Sequence, residues 1–183
     1  MATELQFIKN VKGLDNITAL DIDNVFSDKY DVYFVTHLTG QSSVGYISMS
    51  LLDSAGSEVT TTTYDKAHLS MPANSGFSEY RVVNNNKWER VNYTYQNAIG
   101  GTTSYYIFNP YDSSSYTFMT FQNGFESVGT MYGLKGIGVE RTTATRRGFR
   151  ISATANFSGA DISVYGVKWI MSGSLIKIDE EIV

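Results

Sequence analysis

The chain has no cysteine, which excludes a disulfide framework and any thiolate metal site. Charge is also scarce. Asp, Glu, Lys and Arg make up 17% of the residues, against about 25% in an ordinary soluble domain. Surface polarity must therefore come from Ser, Thr, Asn, Gln and Tyr. The net charge is −4, so the basic stripe of a general nucleic-acid binder is missing. No apolar run approaches the ~20 residues of a membrane helix, and no membrane insertion is expected. The first residues, MATELQFIKNVKG, lack the charged-then-apolar pattern of a signal peptide. The expectation is a soluble protein outside conventional secretion, and the sequons at Asn16, Asn92 and Asn156 are then chance matches.

What is present is strand chemistry. Tyrosines and phenylalanines are abundant and favour strands, and no window of helical period stands out. The densest stretch is Tyr105 to Phe121, YYIFNPYDSSSYTFMTF. Two aromatic runs flank Asn109 to Ser115, where Pro fixes φ and Asn, Asp and Ser bond their own backbone. It reads as a hairpin with an exposed tip. Its aromatics fall on both faces, Tyr116 and Phe118 on one and Met119 and Phe121 on the other, so the strands beside the tip are expected to be fully covered.

Alternation marks further strands at 5–11, 17–22, 30–38 and 44–52, the last with Ile47, Met49 and Leu51 inward. Others are expected at 59–63, 76–83, 88–95, 105–108, 116–121, 128–141, 149–157 and 162–170. Residues 23–28 read as a loop or single helical turn, and 64–76, 96–104 and 122–124 as irregular or turn. The glycines within 128–141 predict bulges or close backbone packing. About ten to twelve short strands at this spacing predict an all-β, antiparallel β-sandwich, jelly-roll-like, with another Greek-key arrangement as the competitor. Residues 1–172 form the sandwich; 173–183 form a C-terminal extension expected to pair with a neighbouring subunit.

No catalytic signature accompanies the strands. His37 lies in an apolar strand, which suits a hydrogen-bonded structural role, and no nucleophile elbow is present for it or His68. Asp21 and Asp23 share a strand face next to Asn24, but no calcium-loop spacing follows. Neither a metal nor a cofactor is expected. Glycoside-hydrolase carboxylates approach in space, and no pair stands out in sequence. Gly133, Gly136 and Gly138 lack the order of a phosphate loop.

Two kinds of contact surface remain. Tyr116, Phe118, Leu175, Ile176 and Ile178 are candidate interface residues. Trp88, Tyr46, Arg146 and Arg147 are candidate contacts to a glycan or partner, the aromatics by stacking and the arginines by charge. The basic run Lys135, Arg141, Arg146, Arg147 and Arg150 is expected to face the chain's own carboxylates, with Asp179, Glu180 and Glu181 of a neighbouring subunit as the alternative.

Short matches spread from about residue 20 to about residue 170 resemble small β-rich virion structural proteins of tailed bacteriophages, marine cyanophage-like ones in particular. They are Val25-Phe26-Ser27, Tyr30-Asp31-Val32-Tyr33, Tyr106-Ile107-Phe108-Asn109-Pro110, Ser115-Tyr116-Thr117-Phe118, Gly136-Ile137-Gly138-Val139 and Val164-Tyr165-Gly166. The resemblance implies a non-enzymatic virion subunit, in a tail appendage or on the capsid surface. It would self-assemble as a homo-oligomer of trimer or hexamer type and attach to other virion proteins. A glycan-binding receptor-recognition module of a tail, contacting host surface glycan, is the alternative. The resemblance carries over no catalytic or ligand residue.

Overall fold

The computed structural model describes residues 2–13, 15–94, 101–127 and 129–170. Among them are twelve strands and no helix: β1 (Ala2–Lys12), β2 (Ala19–Ile22), β3 (Val32–Gln41), β4 (Gly45–Asp53), β5 (Tyr64–Pro72), β6 (Ser78–Asn85), β7 (Trp88–Thr94), β8 (Gly101–Phe108), β9 (Thr117–Ser127), β10 (Thr130–Glu140), β11 (Arg146–Ala153) and β12 (Phe157–Ile170). They form two antiparallel sheets, a large one ordered β1-β12-β3-β8-β9-β10-β5-β6 and a small one ordered β2-β11-β4-β7. The fold is the all-β, antiparallel sandwich that strand spacing predicts.

Its pairing is nested. β1 lies on β12, β2 on β11, β3 on β8 and β4 on β7, as in one long hairpin rolled up on itself. Two hairpin insertions, β5–β6 and β9–β10, lengthen the large sheet on the far side of β8.

Period-two patterning decides what each strand buries. β3 turns Tyr33, Val35 and His37 inward, β8 turns Tyr105 and Ile107, and β9 turns Met119 and Phe121. These meet Ile47, Met49, Leu51, Trp88, Phe149 and Ile151 of the small sheet in one continuous core. The segment between β2 and β3 contributes Val25 and Phe26, whose amides both donate to the Arg147 carbonyl. Asn24 enters that segment at φ 57, a left-handed conformation that asparagine tolerates.

β10 keeps continuous register with β5 and β9 and has no bulge. Its glycines serve close packing instead. A Cβ on Gly138 would lie 2.7 Å from the Trp88 indole nitrogen, and one on Gly136 would enter the Phe121 ring. The large rings occupy the space that side chains at those inward positions would need.

Several boundaries differ from the pattern reading. Residues 64–72 form β5 and are not irregular, while 59–63 are not a strand. β5 turns Tyr64, Lys66 and His68 inward, so polar residues at core positions hid its alternation. Gln122 to Gly124 lie inside β9, and β8 begins at Gly101, within the expected loop. Residues 149–157 divide into the end of β11 and the start of β12. The expected covering of the central hairpin holds for its inner face only. Tyr116 and Phe118 are 43% and 46% exposed. At the tip, Pro110 is buried and its carbonyl accepts from the Arg146 amide.

Candidate functional site

The outer face of the large sheet is the site the fold builds. Cross-strand register lines up one row through six strands: Phe7, Tyr165, Phe34, Tyr106, Thr120 and Ile137, on β1, β12, β3, β8, β9 and β10. Successive rings touch across this row. The Phe7–Tyr165, Tyr165–Phe34 and Phe34–Tyr106 centroids are 5.9, 6.2 and 5.0 Å apart, within the range of favourable aromatic pairs. The neighbouring row, two residues along each strand, is apolar as well: Leu5, Val167, Val32, Phe108, Phe118 and Val139. Leu5, Phe7, Tyr106, Phe118 and Ile137 are all exposed.

On the other side the face becomes polar. The next row runs Ser163, Thr36, Ser104, Gln122 and Lys135. Where the two chemistries meet, an open groove of about 1200 Å³ is lined by Phe34, Tyr106, Ile137, Ser104, Gln122 and Lys135, among others. The groove can therefore take an apolar body with hydrogen-bonding groups along one edge. Among the described residues, no histidine or carboxylate bonds the hydroxyls of Thr36, Ser104 or Thr120, so none is positioned as an activated nucleophile.

Phe118 stands on this face, 46% exposed. Tyr116 is exposed just before β9. Leu175, Ile176 and Ile178, the 173–183 extension and Asp179, Glu180 and Glu181 lie outside the described residues.

The glycan and partner candidates fare differently. Trp88 is fully buried, donates from its indole nitrogen to the Val139 carbonyl at 3.2 Å and meets Tyr64 edge-on. It is a core residue and no sugar platform. Arg146 is buried too, 2.6 Å from the fully buried Glu140 carboxylate, so it is closed to any partner. Arg147 forks onto Asp23, at 2.7 and 2.8 Å. Tyr46 is half-buried, with its ring against Arg90.

The four arginines of the basic run face the chain's own carboxylates, whereas Lys135 stands on the polar row of the sheet face. Arg150 holds Asp21 and Glu58, and Arg141 holds Asp65. The Asp21 and Asp23 carboxylates are thus taken by arginines and are not free to ligate a metal.

No family model, curated protein or solved structure matches this chain.

Both histidines are buried and structural in their surroundings. Nδ1 of His37 lies 3.2 Å from the Tyr105 hydroxyl, and desolvation pushes its pKa down to about 3. His68 is pushed down to about 4, by burial first and then by Lys66 and Arg90. In both cases the folded state refuses a proton that the unfolded chain accepts near pH 6.5. Their stability contribution is complete above pH 6.5 and is lost as pH falls toward 4, by roughly 1.4 kcal/mol per unit for each. Denaturant midpoints should fall steadily from pH 6.5 to 4.5, and His37→Gln should flatten that slope. A flat profile in the parent protein contradicts the assignment.

The strand pattern concealed this face for a specific reason. Residues such as Phe34, Tyr106 and Phe118 occupy outward positions in strands whose inward positions are apolar as well. Double-sided apolarity was the available signal. Which outward residues become neighbours depends on register between strands distant in sequence, as Phe7 and Tyr165 are.

Proposed function

We propose that this chain is a non-enzymatic assembly subunit of a tailed-phage virion, in a tail appendage or on the capsid surface. It acts by self-association and by attachment to other virion proteins. The observation that carries the reading is the pair of adjacent apolar rows on the outer face of the large sheet. Six strands about 4.8 Å apart, with rows about 7 Å apart, make an apolar area of roughly 400 Å². Patches of that size on a lone domain commonly mark an interaction surface. A stable interface takes about 800 Å² per partner, so the flanking polar row would form its rim. The virion setting comes from the resemblance of the strand motifs, and the nested pairing supports a jelly-roll arrangement.

The test is the oligomeric state. Native mass spectrometry of the full chain should show a closed oligomer of trimer or hexamer type. The Phe34→Lys/Tyr106→Lys variant should be monomeric, because each ring sits half-exposed where a cation is tolerated in the monomer. A loss of roughly 2 kcal/mol per anchor weakens association about thirtyfold per site. A parent protein that stays monomeric and is absent from purified virions overturns the reading.

The groove favours glycan recognition as a second reading, since the Phe34 and Tyr106 rings lie beside Ser104 and Gln122. Sugars stack on such rings and bond such side chains. A glycan array on which the parent protein shows signal and Tyr106→Ala shows none separates this reading from assembly alone. Trp88 is no probe of it, being in the core.

A further inference from the structure

A second site lies where the β5–β6 hairpin meets the edge strand β7 of the small sheet. Arg90 stands in that crevice on a β-bulge of β7, with its backbone at φ 54. A non-glycine residue at positive φ is strained, and a bulge of this kind re-aims the side chain it carries. The guanidinium is carried between two tyrosine rings, 5.0 Å from the Tyr46 centroid and 4.6 Å from that of Tyr80.

The chain contains six arginines. Arg141, Arg146, Arg147 and Arg150 each hold a carboxylate of the same chain. Arg90 holds none among the described residues. Its one hydrogen bond there runs from NH1 to the Tyr93 hydroxyl at 3.4 Å, and its Nε is buried without a partner.

Behind it lies Lys66, 3% exposed. The Lys66 amine contacts His68 Nδ1 and the Arg90 carbonyl and has no carboxylate bonded to it among the described residues. Burial, and then Arg90, push its pKa down to about 7, so a bound anion would hold it charged. The crevice's acid is Glu89, which accepts from the Tyr80 hydroxyl at 3.2 Å. A buried lysine and a strained arginine side by side, with no anion bonded to either among the described residues, cost stability unless a ligand supplies the charge.

We propose that this crevice binds the carboxylate of an acidic sugar. The Arg90 fork engages the two oxygens, Lys66 provides the second positive charge, and Tyr46, Tyr80 and Tyr93 flank the ring. This site adjoins the groove of the sheet face, which His68 and Tyr80 also line, and it does not rest on the assembly reading.

Titration of the full chain with glucuronate, followed by NMR, tests it. Glucuronate should bind at least about tenfold more tightly than glucose, with shifts centred on Arg90 and its neighbours in β7. Arg90→Lys should weaken that binding about tenfold, because an ammonium cannot fork a carboxylate. Lys66→Met should also weaken it while raising Tm, since it replaces a buried amine with an apolar chain of similar length. Equal binding of the two sugars, or glucuronate binding unchanged in both variants, overturns the proposal. So does triglutamate binding more tightly than glucuronate, which would assign the crevice to an acidic protein segment.

Discussion

Replacing Glu140 with alanine is expected to cost about 3–5 kcal/mol of folding stability. Glu140 is the last residue of β10 in the large sheet, and Arg146 is the first of β11 in the small one. Their pair therefore pins the connection that crosses between sheets. Both side chains are buried, and the carboxylate is used completely: Oε2 accepts from the Arg146 Nε and NH2 at 3.2 and 2.6 Å, and Oε1 from the Thr63 hydroxyl at 2.7 Å. Alanine leaves the guanidinium enclosed with no counter-charge and a hydroxyl with no acceptor.

For a domain of this size, each kcal/mol moves Tm by about 2–4 °C, so a fall of roughly 10 °C is the expected reading. The double variant Glu140→Leu/Arg146→Met should recover most of the loss. Removing both charges removes the desolvation cost along with the attraction. A single variant that melts within about 3 °C of the parent would show the pair to be solvated and incidental.

Trp88→Ala should cost a similar amount, about 3–5 kcal/mol, against total stabilities of about 5–15 kcal/mol. The indole is fully buried, meets Tyr64 at 5.2 Å and 89°, and bonds the Val139 carbonyl. Truncation leaves a void beneath Gly138, where no side chain can move in to fill it, and removes the indole's hydrogen bond to β10. Calorimetry should show the loss as a lower Tm. Any fall in ligand binding should then track the unfolded fraction, as expected of a core residue. Undiminished Tm with selectively lost glycan binding would return Trp88 to the surface role its residue type suggested.

Trp88 illustrates what pattern reading could and could not reach. The strand beginning there was legible from its residues, and so was the alternation within it. Which of its two faces looked inward was not, because Trp88, Arg90 and Asn92 alternate against Val91, Tyr93 and Tyr95 with apolar residues on both sides. The bulge between the β4–β7 pairings Ile47–Asn92 and Met49–Trp88 then shifts the parity. It sends Trp88, Val91 and Asn92 inward and Arg90 into the crevice. A bulge is a property of two strands together, and one strand's pattern does not contain it. β5 shows the converse. Its core positions carry Tyr64, Lys66 and His68, so local polarity argued against a strand that tertiary pairing with β6 and β10 creates.

By itself, then, the sequence determined the class of fold. Period-two patterning, turn residues and a lack of helical period leave only antiparallel strands able to bury this many aromatic and β-branched side chains. The absence of cysteine excluded disulfides and thiolate sites. Only tertiary structure decided which aromatics are core and which are surface. It sent Arg141, Arg146, Arg147 and Arg150 to carboxylates of the same chain, left Arg90 without one among the described residues, and aligned Phe7, Tyr165, Phe34 and Tyr106 in one outward row. The physical reason is range. Turn chemistry and alternation act over a few residues, whereas register, bulges and ion pairs join residues as far apart as Phe7 and Tyr165. Those contacts exist only once both sheets have formed.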